Sequence, residues 1–189
     1  MKAALIPACI IATVAFAASL VLPSAAQDQD YTKLLASLPA SRLTLADGLA
    51  YVRAPGVPIS AKFELADTPA GQLSLSVYVA PGGLKAGVKG NHLEELAGDP
   101  TTAPWKPTPS PLVGGDLSDG VDQLAIVEKS RLSLADVYKR AKAYSGGNVI
   151  SIVPSSRQGK DVFAVRVVQL GAVWELFYDL KGKLLAKAD

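Results

Sequence analysis

The residues best placed to do chemistry are Asn91-His92-Leu93-Glu94-Glu95 with Asp99, one imidazole and three carboxylates within nine residues. Imidazole nitrogen and carboxylate oxygen are the donors a catalytic zinc uses, so His92, Glu94 and Glu95 outline a metal-assisted enzyme. The same acidic residues beside Leu93 and Leu96 also fit the wet face of a short helix, and both readings stand. His92 is the sole histidine and Cys9 the sole cysteine of 189 residues. A hydrolytic triad would therefore need His92 as its base, and no Gly-x-Ser-x-Gly elbow supplies a nucleophile. Gly82-Gly83 and Gly114-Gly115 lack the lysine of a phosphate loop and read as turns. Asp47 and Asp136 suggest a carboxylate pair until their spacing is noted. Each stands three residues after Thr44 or Ser133, where a helix cap explains it. The chain is expected to be non-enzymatic, with no catalytic residue, metal or cofactor assigned.

The N-terminus has the layout of a signal peptide. Lys2 precedes a 15-residue apolar stretch from Ala8 to Leu22, and Ser24 and Ala26 put small side chains before the polar Gln27-Asp28-Gln29-Asp30. Residues 1–26 are expected to be removed after Ala26, leaving a periplasmic or secreted chain without a membrane span. The alternative is a retained anchor, because Ala3 to Leu22 nearly reaches bilayer length. The remaining 163 residues carry 18 basic and 17 acidic groups, a balance that argues against a nucleic-acid binder. Cys9 would leave with the leader, so the fold must rest on core packing without a disulfide.

The elements that would position a site are organised by a repeat. Ser41-Arg42-Leu43-Thr44-Leu45-Ala46-Asp47 recurs as Ser130-Arg131-Leu132-Ser133-Leu134-Ala135-Asp136, six of seven positions identical at an offset of 89. Leu35 and Leu38 then align with Leu124 and Val127, and after a shift of two residues Gly56, Ile59 and Ser60 align with Gly147, Ile150 and Ser151. Thr44 and Ser133 predict helix N-caps. Leu45, Leu49 and Val52 mark an apolar face of the first helix, and Leu134, Val137, Ala141 and Tyr144 of the second. Pro55-Gly56 and Gly146-Gly147 predict their ends.

Beyond each helix the apolar period falls to two. Ile59, Ala61, Phe63 and Leu65 alternate, then Leu73, Leu75, Val77 and Val79; in the second copy Val149 to Val153, Phe163 to Val167 and Val173 to Tyr178 follow. A turn at Lys181-Gly182 returns the chain through Leu184 and Leu185. Tight turns without crossovers favour an antiparallel sheet, so the expected class is α+β, two similar subdomains with a helix on each sheet. The first spans residues 27–99 and the second 121–189. Between them, residues 100–120 hold Pro100, Pro104, Pro107, Pro109 and Pro111 and read as a stiff linker in which Trp105 docks on a neighbouring core. Trp174 is expected in the core of the second copy. Residues 27–120 carry a net charge of −3 and residues 121–189 of +4, and Lys139, Arg140 and Lys142 give the second helix a basic face.

The second copy resembles the PepSY family through Leu132-Ser133-Leu134-Ala135-Asp136, Gly146-Gly147-Asn148-Val149-Ile150-Ser151, Gly159 to Val165 and Tyr178 to Leu185. The likeness covers residues 130–189 and, more faintly, 41–80; in the first copy Pro81-Gly82-Gly83 replaces a clean third strand. The resemblance implies two PepSY-like repeats in tandem, an exported location, and a role in restraining a peptidase or sensing outside the membrane. It supplies no catalytic residues. The function expected is an exported binding module whose partner is an exported protein or peptide, a peptidase among them, with no nucleic acid; the alternatives are the metal-assisted enzyme at His92, Glu94 and Glu95 or a purely structural envelope protein.

Overall fold

The computed structural model describes residues 25–67 and 69–188. The expected leader, Cys9 included, lies outside them except for Ala25 and Ala26, which belong to the first helix. The helices among the described residues are α1 (Ala25–Ser37), α2 (Leu45–Tyr51), α3 (Gly87–Gly90), α4 (Gly114–Lys129) and α5 (Leu134–Ser145). The strands of the first half are β1 (Val57–Asp67), β2 (Ala70–Ala80), β3 (Glu94–Gly98) and β4 (Thr108–Pro111). Those of the second are β5 (Asn148–Arg157), β6 (Lys160–Gln169), β7 (Ala172–Asp179) and β8 (Leu184–Ala188).

The repeated heptapeptide does the same work twice. Thr44 and Ser133 each accept a bond from the N–H three residues on, and Asp47 and Asp136 accept one from the backbone N–H of their cap residue, closing two capping boxes. α2 ends before Pro55-Gly56, whereas α5 ends on Gly146, whose φ of 66° supplies the left-handed residue that a helix C-terminus favours.

The class is α+β, with one eight-stranded antiparallel sheet ordered β4-β3-β2-β1-β5-β6-β7-β8. Strands of both halves thus share a sheet, and they meet where β1 pairs β5. That seam holds two residue pairs, Ala61 opposite Ile152 and Lys62 opposite Ser151. Ala61 and Ile152 are also counterparts at the offset that aligns Ile59 with Ile150. On each side of the seam one residue is squeezed out of register, Ile59 between Pro58 and Ser60, and Ile150 between Val149 and Ser151. Both bulged isoleucines are buried. A bulge bends its strand and sharpens the twist, so β1 and β5 bend at matching positions.

One face of the sheet carries Ala61, Phe63, Leu75, Val77, Ile152, Phe163, Val165 and Leu176, all buried in one continuous core with Leu45, Leu49, Leu124, Leu134 and Val137 of the helices. Approach is close enough to dictate small residues. A Cβ on Gly48 of α2 would lie 2.9 Å from Leu75, and one on Gly120 of α4 2.7 Å from Leu112.

Three expectations are corrected here. The segment 100–120 is no linker: Thr108–Pro111 pairs with β3 and Gly114–Gly120 begins α4, while Trp105 docks as expected, buried edge-on to Tyr51 with ring centroids 5.2 Å apart. The first half does have a third strand. Pro81-Gly82-Gly83 only delays it, through a loop that Asn91 ties down by accepting from Gly82 N and donating to the carbonyls of Gly83 and Gly87. Trp174 is not core. It lies opposite Val167 on the helix-bearing face, but so near the sheet's edge that it is half-exposed, with the Lys187 ammonium 3.2 Å from its ring centroid.

Trp174→Ala is accordingly expected to cost about 1–2 kcal/mol, the worth of a cation–π contact and partial burial, against about 3–5 kcal/mol for the fully buried Phe163→Ala. Equal losses in urea unfolding would contradict this placement. Thr44→Ala and Ser133→Ala should each cost about 1 kcal/mol. The Ser133 hydroxyl and N–H hold Asp136 below the usual carboxylate range, and Lys129 with Ser156 does the same for Asp161. Such depressed groups stabilise the fold above the unfolded value of about 4, and that contribution disappears as pH falls through the lower folded value. Urea midpoints should therefore drop below about pH 4, and drop less steeply in Ser133→Ala; identical pH profiles would deny the cap its part.

Candidate functional site

The face of the sheet opposite Phe163 and Leu176 carries most of its charged side chains, because alternation puts every second residue there, alongside the buried Tyr78, Val162 and Phe177. Lys62 and Glu64 of β1 form an ion pair of 2.6 Å, and Arg166 of β6 meets Glu175 of β7 at 3.3 Å across paired positions. Ser76 of β2 donates to Glu95 of β3, and Tyr78 donates to Asp116 in the first turn of α4 at 2.9 Å. A groove of about 1000 Å³ runs between α1 and the seam, lined by Tyr31, Lys62, Glu64, Ser151, Arg166 and Glu175. Burial pushes the Glu64 carboxyl up despite Lys62 beside it. Burial likewise raises the phenols of Tyr31 and Tyr78, with Asp116 adding to the second. Lys62 and Arg166 already hold carboxylates, so the groove offers hydrogen bonds and compensated charge.

The three residues of the metal-assisted reading are not brought together. Glu94 and Glu95 lie on a strand, where the sequence also allowed a short helix, and neighbours on a strand face opposite ways. Glu95 sits opposite Tyr78 on the polar face, Glu94 opposite Val79 on the other, and His92 is exposed ahead of both. Among the described residues no group of three or more His, Cys, Asp or Glu is arranged to hold a metal ion. Asp47 and Asp136 are occupied by their caps. Lys139, Arg140 and Lys142 are exposed on α5, with Lys142 donating to the Gly147 carbonyl at 2.9 Å and Arg140 lying against the turn at Gly182.

The two edges of the sheet differ in a way that alternation makes legible. At the β4 edge, Leu112 N–H donates to the Leu93 carbonyl at 2.9 Å, so even-numbered residues there point their backbone groups at β3. Pro109 and Pro111 then occupy the outward positions, where they present no N–H. This edge is closed to another strand. At the other edge, Asp179 N–H donates to the Lys183 carbonyl, so Phe177 and Glu175 of β7 also point toward β8 and meet Ala186 and Ala188. Between them, Lys187 turns its N–H and C=O outward. No proline interrupts β8, and Leu185 and Lys187 are exposed. Cations ride on aromatic rings beside this edge, Lys187 on Trp174 and Arg157 on Phe177 at 3.8 Å. The spacing of two between Pro109 and Pro111 is the sequence signal of this edge, because alternate residues mark one side of a strand.

No helix among the described residues is long and apolar enough to cross a membrane. No family model and no curated protein matches the chain. Among solved structures, the chain is similar to a "putative lipoprotein" from Clostridium difficile 630, at 15% identity over 70% of this chain and 82% of that one, with a TM-score of 0.35.

Proposed function

We propose that the chain is an exported, non-enzymatic binding module made of two PepSY-like repeats in tandem, which takes up an extended segment of an exported protein or peptide along β8. One observation carries the proposal: of the sheet's two edges, β4 is blocked by Pro109 and Pro111 while β8 leaves the backbone of Lys187 unpaired. Unpaired N–H and C=O groups in a row are a template for another strand, and a protein that closes one edge with prolines has handled that hazard selectively. Main-chain bonds give such a site affinity and flanking side chains give it selectivity.

The duplication is supported by the two capping boxes, the paired bulges at Ile59 and Ile150, and the self-pairing of Ala61 with Ile152. On this reading the repeats bind each other through their first strands, and the second repeat's last strand is left to bind something else. A peptidase is the partner that the PepSY resemblance implies; the edge itself asks only for an extended segment.

Lys187→Pro removes the outward N–H while leaving the bonds between β7 and β8 in place, and Lys187→Ala keeps the N–H but loses the charge. Affinity capture from native envelope extract should recover a partner with the parent protein and with Lys187→Ala, and lose it with Lys187→Pro. Capture that survives the proline would place binding elsewhere. Any peptidase recovered is then assayed with and without the protein.

A further inference from the structure

We infer that the segment taken up along β8 is acidic, an inference that rests on strand addition at that edge and names its partner's chemistry. The register sets which side chains an added strand would meet. Lys187 lies opposite Leu176, and Ala186 opposite Phe177, so Lys187 and Phe177 occupy opposite faces of the sheet. The Lys187 ammonium is seated on Trp174 on one face, and the Arg157 guanidinium on Phe177 on the other. A strand bonded to β8 therefore lies beside the Lys187 cation on one face, with the Arg157 cation held one strand further in, on β7, on the other. Lys181 and Lys183 add two more at the turn that leads into β8, with Arg140 of α5 lying against Gly182 of that turn.

Among the described residues, the carboxylates nearest this edge are already committed. One oxygen of Asp179 accepts the N–H groups of Lys181 and Lys183, each at 2.9 Å, and Glu175 holds Arg166. Among the described residues, the ion pairs found involve none of Arg157, Lys183 and Lys187. The aromatic rings fix two of these cations in place, which reduces the entropy lost when a carboxylate meets them. The same charges act against a second copy of this chain, since pairing β8 with β8 would set lysine beside lysine. An edge that repels itself and carries cations on both faces selects an extended segment with acidic side chains.

The test uses the purified protein and three synthetic peptides of about ten residues, alternating Val with Glu, Gln or Lys, followed by calorimetry and by hydrogen exchange at the Lys187 amide. The Glu peptide is expected to bind about tenfold more tightly than the Gln peptide at low salt, with the gap closing as salt rises. It should protect the Lys187 amide, and the double variant Arg157→Gln, Lys187→Gln should bring the two peptides level. Equal affinity for all three peptides, with the amide protected, would overturn acidic selection and leave strand addition standing. Binding of the Glu peptide that spares the Lys187 amide and survives Lys187→Pro would overturn both, as would failure of all three peptides to bind. Self-association through β8, read by sedimentation and abolished by Lys187→Pro, would identify a second copy as the occupant and also overturn the inference.

Discussion

The sheet depends on a contact two residue pairs long. β1 and β5 pair only at Ala61 with Ile152 and Lys62 with Ser151, yet that contact joins four strands on one side to four on the other. Two antiparallel pairs would hold little alone, since an isolated hairpin of greater length is marginal in water. At the seam, Ala61 and Ile152 are buried in the cluster that contains Leu124 of α4 and Val137 of α5. α4 packs on both seam strands and α2 on α5, so apolar burial crosses the junction even where backbone pairing stops. Residues 100–120 belong to this arrangement: they close the far edge and start the helix that bridges the seam.

An eight-stranded open sheet must also dispose of its ends. Joining two four-stranded units at their first strands removes two edges and leaves two. Proline at alternate positions is an economical solution for one of them, because the missing N–H falls where no neighbour needed it. The ladder between β3 and β4 keeps its bonds through Leu112 and the other even-numbered residues. At β8 no such device exists, and lysine at the edge discourages association without removing a donor. The two ends thus differ in kind: one is closed by covalent structure, the other guarded by charge.

What the sequence made legible was whatever is local. Thr44-x-x-Asp47 and Ser133-x-x-Asp136 announce their helices because a cap is satisfied within four residues, and Gly146 announces an end for the same reason. Alternation over Ile59 to Leu65 and Leu73 to Val79 announced strands, since burial on one face repeats every two residues. α1 and α4 escaped, although the matched Leu35 and Leu124 lay in them, because no side-chain cap marks the start of α4 at Val113. The bulges escaped because an extra residue is defined by its partner strand. Trp174 was misplaced for a related reason: hydrophobic alternation identifies the face of a residue but not its distance from the sheet's edge. The residues flanking β8 were legible singly, as a hairpin and a set of lysines, while their convergence with Arg157 depends on β5 and β7 lying two strands apart.

On the proposed duplication, asymmetry between the copies is the informative quantity. Two identical repeats joined at their first strands would present two identical edges, and both would be open or both closed. The copies instead agree where they touch each other, at the bulged isoleucines and the capping boxes, and differ at their last strands, Thr-Pro-Ser-Pro in β4 against Leu-Leu-Ala-Lys-Ala in β8. Constraint at the seam explains the agreement, because Ala61 and Ile152 face one another and each fixes the space available to its counterpart. The outer edges are free of that mutual constraint. Proline at one edge removes the outward donors that a partner strand would need. The other edge retains those donors beside Lys187, and on the proposed reading this is where backbone pairing and charge would act together.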